Sequence, residues 1–236
     1  MKPIRLGRMT VHKIHEIDVA LPMQLPLPDI TRQQLARLSE WYWDPDHITG
    51  DPATSQVNLS NHSWVIELDG RTIDRLNTPW LENLAAAGFA PEDIDLVLCT
   101  HLHSDHVGWN TRLENGRWVP TFPNARYLFG KRDFEHLQNS KPGEDFSYEA
   151  FLDSIVPVME AGRGELVDED LAVHREIGDG IWLEPAFGHS AGSCTINASA
   201  GGPPALFWGD VVHHPAVLAC PHLLCNFDHD RETARD

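Results

Sequence analysis

Short runs of alternating or continuous apolar residues recur along the chain and predict strands. The segments 9–19 and 62–70 carry the alternation of half-buried strands, and the second ends at the turn pair Asp69 and Gly70. Residues 93–101, with the sequence DIDLVLCTH, contain a continuous apolar run of the kind that is buried on both faces of a sheet. The pattern therefore predicts strands that face solvent on one side and at least one that is fully buried.

Helical spacing separates these strands. Thr78 is expected to cap a helix, with Pro79 at its first position and Gly88 at its end. The same spacing predicts further helices over 31–43, 131–139 and 147–159. Further short strands are predicted over 125–130, 171–177, 181–187, 193–199 and 205–210. Because no linker or repeat divides the chain, we predict one domain over 1–236 with layered α and β structure.

Composition and charge narrow the classes of function. Hydrophobic residues make up 42% of the 236 residues, which is enough for a substantial core. The formal net charge of −17 disfavours nucleic acid and anionic membrane surfaces as partners. The first twenty residues lack the apolar core of a secretory signal, and no apolar run is long enough for a membrane span. A cytoplasmic protein is the expectation.

The segment CTHLHSDHVGWN, residues 99–110, concentrates His101, His103, Asp105 and His106 directly after the predicted buried strand. In an extended segment alternate side chains point the same way, so His101 and His103 can address one point. Asp105 and His106 follow after a turn and can address a second point nearby. Imidazole nitrogens and carboxylate oxygens suit zinc, and also iron or manganese.

Two later segments offer further ligands. His189 lies in a glycine-flanked turn between two predicted strands, and Asp210 lies at the end of an apolar strand. Each residue alone is typical of an ordinary turn. Together with the cluster at 101–106 they predict a site for two metal ions.

The segments THLHSDH, GHS and GDVVHH, in this order, resemble the metallo-β-lactamase superfamily of metal-dependent hydrolases. The longer segment LNTPWLENLAAAGFAPEDIDLVLCTHLHSDHVGWNT is similar to the branch that holds methyl parathion hydrolase-like enzymes and quorum-quenching lactonases. The resemblance covers about residues 10–230. It implies an α+β fold, a four-layer αββα sandwich with the metals in a cleft at one edge of the sheets.

The resemblance also implies the roles of the residues. Two divalent ions, most simply zinc, would be bound by His101, His103, Asp105, His106, His189 and Asp210, with Asp210 as the bridge. A hydroxide between the ions would attack a small-molecule substrate with an ester-like bond: a lactone, a carboxylic ester or a phosphotriester. Asp105 and Asp210 are the candidate catalytic residues. Trp109 and His214 are candidates for the lining of the cleft, and a homodimer is the oligomeric state considered.

Two departures from the family pattern predict an incomplete sandwich. The hairpin near Ile73 is shorter than in the family, and the truncated C-terminus lacks the late-strand histidine that completes the second metal site there. The second ion is therefore expected to be incompletely liganded. Two alternatives follow: a non-catalytic metal-binding protein, and a thioesterase of the glyoxalase II type.

Overall fold

A computed structural model describes residues 2–38, 42, 47–68, 79–169 and 180–236. The strands in these ranges are β1 Ile4–Leu6, β2 Met9–Pro22, β3 Gln56–Leu68, β4 Leu96–Leu98, β5 Thr111–Glu114, β6 Arg117–Pro120, β7 Arg126–Gly130, β8 Gly164–Val167, β9 Ile181–Pro185, β10 Cys194–Ala198 and β11 Ala205–Phe207. The α-helices are α1 Arg32–Leu38, α2 Trp80–Ala87, α3 Ser104–Val107, α4 Lys131–Asn139, α5 Tyr148–Ser154, α6 Val156–Glu160, α7 Pro215–Ala219 and α8 Arg231–Arg235. Short 3₁₀ helices occupy Pro91–Asp93, Gly108–Asn110 and Gly209–Val211.

The strands form separate sheets of different kinds. Strands β1, β2 and β3 make one antiparallel sheet, and β9, β10 and β11 make another. Strands β4, β7 and β8 pair in parallel, as expected for a buried apolar strand such as β4. Strands β5 and β6 form a hairpin. The expected α+β class with several sheets is confirmed.

The inner faces of the two antiparallel sheets pack against each other. Met9 and Val11 of β2 contact a buried cluster that includes Leu183 of β9 and Ile196 of β10. A second and larger cluster, around Trp80, packs helices α2, α4 and α5 onto the parallel strands. Because these apolar faces exclude water, they fix the positions of the strand ends from which the site residues project.

Several predicted boundaries are shifted by one or a few residues. Pro79 is the cap of α2 rather than its first residue, while Gly88 ends the helix in the left-handed conformation, with φ of 99°. The helix predicted over 147–159 is broken at Ile155. Pro157 has no N–H for the carbonyl of Asp153, which instead accepts a 2.8 Å hydrogen bond from the Thr111 hydroxyl.

Other predictions fall outside the described ranges or were not made. The turn at Asp69 and Gly70, the shortened hairpin near Ile73 and the strand over 171–177 all lie outside the described residues. The hairpin β5–β6 and strand β8 were not predicted. No helix in the described ranges combines the length and apolar content that a membrane span requires.

Candidate metal centre

The histidine cluster lies in the loop between β4 and α3. His101 follows the buried strand closely and is only 2% exposed, so its imidazole is fixed by the core. His103 keeps an extended backbone, with ψ of 156°, and is the N-cap residue of α3. The two rings lie with centroids 4.6 Å apart. The expected alternation of an extended segment therefore brings both imidazoles to one place.

His189 and Asp210 reach the same place from the sheet of β9, β10 and β11. His189 lies in the loop between β9 and β10, and Asp210 lies just after β11. Gly188 has φ of 123°, a conformation that L-residues rarely adopt, and a side chain there would collide with the backbone of α8 at Ala234. Gly209 has φ of 55°, and a Cβ there would lie 2.5 Å from the Thr100 hydroxyl oxygen. The glycines in GHS and GD thus permit the close approach of the two halves of the site.

The donor atoms of these residues converge. His103 Nδ1 lies 2.9 Å from His189 Nε2, and His106 Nε2 lies 3.3 Å from Asp210 Oδ1. Asp210 Oδ2 lies 3.6 Å from His189 Nε2. Four overlapping groups have ligand atoms within 4.8 Å of one another: His101, His103 and His189; His101, His106 and Asp210; His189, Asp210 and His213; and His213, Cys225 and Asp228.

The chemistry of this donor set fits divalent cations. His101 Nε2 is fully buried and has no hydrogen-bond partner within the described part of the chain. An unpaired nitrogen of this kind is costly to bury, and a metal ion would satisfy it. Neutral imidazoles with one carboxylate match the ligand preference of zinc.

Burial and charge divide the histidines into two kinds. Burial, with His189 and His106 nearby, lowers the pKa of His103 to about 4, so its imidazole is neutral and ready to bind a metal. Burial also disfavours the charged form of His106, but the carboxylates of Asp210 and Asp105 outweigh it and raise its pKa to about 10. In the metal-free protein this proton offsets the buried negative charge that a cation would otherwise neutralise.

Asp105 stands apart from the converging groups. Its side chain is 50% exposed, and its Oδ2 lies 3.5 Å from His106 Nε2. None of the groups of three ligands in the described residues includes it. Of the six predicted ligands, the structure brings five together and leaves Asp105 at the rim.

The two candidates for the cleft lining are placed elsewhere. Trp109 is 6% exposed and packs on Trp80 with ring centroids 5.4 Å apart, inside the larger core cluster. His214 caps α7, where its Nδ1 accepts a 3.1 Å hydrogen bond from the Ala216 N–H. Its neighbour His213 lines the cleft instead. Both proposals for Trp109 and His214 are therefore corrected: one residue belongs to the core and the other to a helix cap.

Asp133 on α4 connects the two halves of the site and was not predicted. Its carboxylate accepts hydrogen bonds from the N–H groups of Leu102 at 3.0 Å and Gly192 at 2.6 Å, and from the Ser190 hydroxyl at 2.9 Å. Leu102 lies between His101 and His103, and Ser190 follows His189. From the sequence alone, Asp133 looks like an ordinary residue on the polar face of a helix. Only its hydrogen bonds to residues distant in the sequence show that it joins the two halves of the site.

A cleft of about 660 Å³ opens beside these residues. Asp105, His106 and Asp210 are among the residues that line it. Its walls carry Trp64 and Phe207, whose rings lie 5.8 Å apart. The volume suits a small organic molecule with an apolar portion.

Added zinc is expected to stabilise the metal-free protein. At a hundred times the dissociation constant a ligand stabilises the folded state by about 2.7 kcal/mol, which corresponds to about 5–10 °C in Tm for a chain of this size. Calorimetry of protein freed of metal by a chelator, with and without zinc, measures this. Magnesium serves as the control, because it prefers oxygen ligands. An unchanged Tm with zinc would contradict the assignment of a metal centre.

Comparisons with known proteins concern the family and the fold of the chain. The family model described as "Metallo-beta-lactamase superfamily" matches residues 49–236. No curated protein sequence matches the chain. Among solved structures, a hydrolase described as AbOPH in the beta lactamase superfamily superposes with a TM-score of 0.77 at 21% identity, covering 99% of this chain and 81% of that one.

Two lactonases are also similar in structure. AidC, described as a dizinc quorum-quenching lactonase in complex with a product, gives a TM-score of 0.73 at 17% identity and covers 99% of this chain and 82% of its own. The AiiA protein of B. thuringiensis, with N-decanoyl-L-homoserine bound at its active site, gives 0.62 at 14% identity, with 98% and 85% covered. At these identities the likeness establishes the fold.

Proposed function

The chain belongs to the metallo-beta-lactamase superfamily, and from that premise we propose that it is a metal-dependent hydrolase of an ester-like bond in a small molecule. The observation that carries the proposal is the convergence of four imidazoles and Asp210, of which His106 and Asp210 line an apolar cleft. We further propose that two divalent ions, most simply zinc, are held by His101, His103, His106, His189 and Asp210. The single domain over 1–236 and the homodimer stay predictions.

The site supplies what hydrolysis requires. The cations, when bound, make water nucleophilic at neutral pH and polarise the carbonyl or phosphoryl oxygen. His101, His103 and His189 hold one side of the centre, and His106 holds the other, while Asp210 lies between the two sides. The protein residues thereby fix the positions at which charge develops in the transition state.

Asp105 is suited to proton transfer. Burial raises the pKa of its carboxyl, but His106 beside it outweighs this effect and brings the pKa below its usual value. The group is therefore a carboxylate at neutral pH, half exposed and part of the lining of the cleft. We propose that Asp105 accepts a proton from the attacking water and delivers it to the leaving oxygen.

The test is hydrolysis by the metal-loaded protein of a panel containing a lactone, an aryl ester, a thioester and a phosphotriester. Turnover of at least one oxygen ester is expected, with loss after chelation and recovery on adding zinc or manganese. Turnover restricted to the thioester would favour the glyoxalase II alternative. No turnover by protein that carries two ions would favour the non-catalytic alternative.

The apolar wall predicts a preference for substrates with an apolar chain. Replacing Trp64 with alanine removes one ring of the pair with Phe207 and leaves a gap beside the substrate. We expect kcat/KM for a long-chain ester to fall by about tenfold, equivalent to about 1.4 kcal/mol, and that for a short-chain ester to change little. The matched control is Trp118→Ala, since Trp118 lies on β6 and does not line the cleft. Equal losses for both chain lengths would contradict this role.

A further inference from the structure

His213 has a buried side chain beside the metal centre and does not belong to the predicted set of ligands. Its side chain is 6% exposed, and its Nε2 lies 3.3 Å from Asp210 Oδ2. That nitrogen is fully buried, and its contact with the Asp210 carboxylate does not have the geometry of a hydrogen bond, nor does it make one to any other residue that the structure describes. Buried polar atoms are nearly always satisfied, so the position of this nitrogen requires an explanation.

The same condition holds for one other histidine of the site. His101 Nε2 is also buried and unpaired within the described ranges, and it belongs to two of the groups of converging ligands. An imidazole nitrogen that is shielded from water and directed at a carboxylate is well placed to bind a cation between them. His213 therefore has the same environment as a residue already assigned to the centre.

The other ring nitrogen of His213 is held as metal-binding histidines usually are. Its Nδ1 lies 3.5 Å from the sulfur of Cys225, which is 4% exposed. His189 is held in the same way, since its Nδ1 lies 3.1 Å from Asp228 Oδ1. Histidine ligands normally use one nitrogen for the metal and the other for such an outer contact, which fixes the ring.

His213 also lies close enough to the other ligands to be a sixth residue around the centre. It forms a group with His189 and Asp210 in which all ligand atoms lie within 4.8 Å of one another. Asp105, the remaining predicted ligand, joins no such group in the described part of the chain. His213 thus occupies a sixth position around the centre, supplied by the segment directly after Asp210.

We propose that His213 is a metal ligand through Nε2, sharing an ion with His189 and Asp210, and that Cys225 is the residue that orients it. This inference rests on the two-metal centre of the proposed function. It adds a ligand on the His189 side of the centre, supplied by the segment directly after Asp210. The ligand it assigns is an imidazole three residues after the bridging carboxylate.

Metal binding by the full chain tests the proposal without relying on activity. The metal-free protein is titrated with zinc in competition with a chromogenic chelator, and ion content is measured by elemental analysis. His213→Ala is expected to lower the affinity for one of the two ions by about a hundredfold or more, since even outer contacts are worth 10–100-fold. Added imidazole is expected to restore the affinity for that ion by entering the space left by the side chain.

Two controls separate the outcomes. His222→Ala removes an exposed histidine of the same C-terminal segment, 2.7 Å from Gln34, and should keep both affinities. Cys225→Ser should keep two ions with at most a tenfold weaker affinity. A sulfur-to-metal charge-transfer band in the cobalt-loaded wild type would place Cys225 on the metal and overturn its assigned role.

The failure of this inference is distinguishable from that of the proposed function. If wild type and His213→Ala both bind two ions with equal affinity, His213 is not a ligand and the centre stands. If the wild type binds no zinc, the centre itself is wrong. A loss in His213→Ala that imidazole does not restore, together with a lower free energy of unfolding without metal, would assign His213 a structural role instead.

Discussion

Asp210→Ala is expected to abolish the binding of at least one metal ion and to lower hydrolysis by more than about a hundredfold. Outer contacts of metal ligands already account for 10–100-fold, and Asp210 contacts both sides of the centre directly. Its carboxylate lies 3.3 Å from His106 and 3.6 Å from His189. Without it, the centre loses the carboxylate that lies between its two sides and offsets the charge of the cations.

The measurement combines ion content with turnover on the best substrate of the panel. Asp210→Asn keeps an oxygen ligand but loses the charge, so an intermediate loss is expected. Asp95→Ala, at an exposed position on the loop before β4, is the matched control and should match the wild type. Full ion content and full turnover in Asp210→Ala would refute the bridging role.

The pattern of apolar residues predicted the part of the site that depends on local geometry. The buried run before His101 placed the first histidines at a strand end, because a buried strand must leave the sheet before polar side chains can converge. His103 follows from the same alternation, which holds as long as the backbone stays extended. The positions of these two histidines depend only on the backbone conformation of a few neighbouring residues.

The alternation was applied only as far as His103, and the positions of Asp105 and His106 depend on the turn that follows. Helix α3 begins at Ser104, so the period of side-chain direction changes from 2 to 3.6 residues at that point. His106 turns toward Asp210, whereas Asp105 stays half exposed at the rim. A short sequence segment does not reveal at which residue such a change of period occurs.

Contacts between distant segments were beyond prediction for a different reason. His213 and His214 are adjacent and chemically identical, and only the start of α7 decides which one caps a helix and which one faces Asp210. Asp133 is separated by 31 residues from Leu102 and by 59 from Gly192. No periodicity within α4 indicates partners at that distance.

The second large effect is expected from Asp133→Ala, which acts through the scaffold of the site. The substitution leaves two backbone N–H groups and the Ser190 hydroxyl without their acceptor in a buried place. Each unsatisfied group costs about 1–3 kcal/mol, so the three groups together predict a loss of about 3–9 kcal/mol in the free energy of unfolding. Urea unfolding of the metal-free protein measures it, and the zinc titration should show affinity lowered by about 10–100-fold.

Asp133→Asn distinguishes hydrogen bonding from charge at this position. Burial raises the pKa of Asp133 although the N–H groups of Gly192 and Leu102 oppose the shift, so ionisation is less favourable in the folded state than in the unfolded one. The charge therefore lowers stability as pH rises above the usual range of an aspartate, and asparagine avoids this penalty while keeping one acceptor oxygen. The loss in Asp133→Asn is expected to be smaller than in Asp133→Ala. Glu135→Ala, exposed on the same helix, controls for changes in helix propensity. If the free energy of unfolding of Asp133→Ala lies within about 1 kcal/mol of the wild-type value, the carboxylate does not hold the two loops together. The close approach of His103 to His189 would then have to depend on the metal.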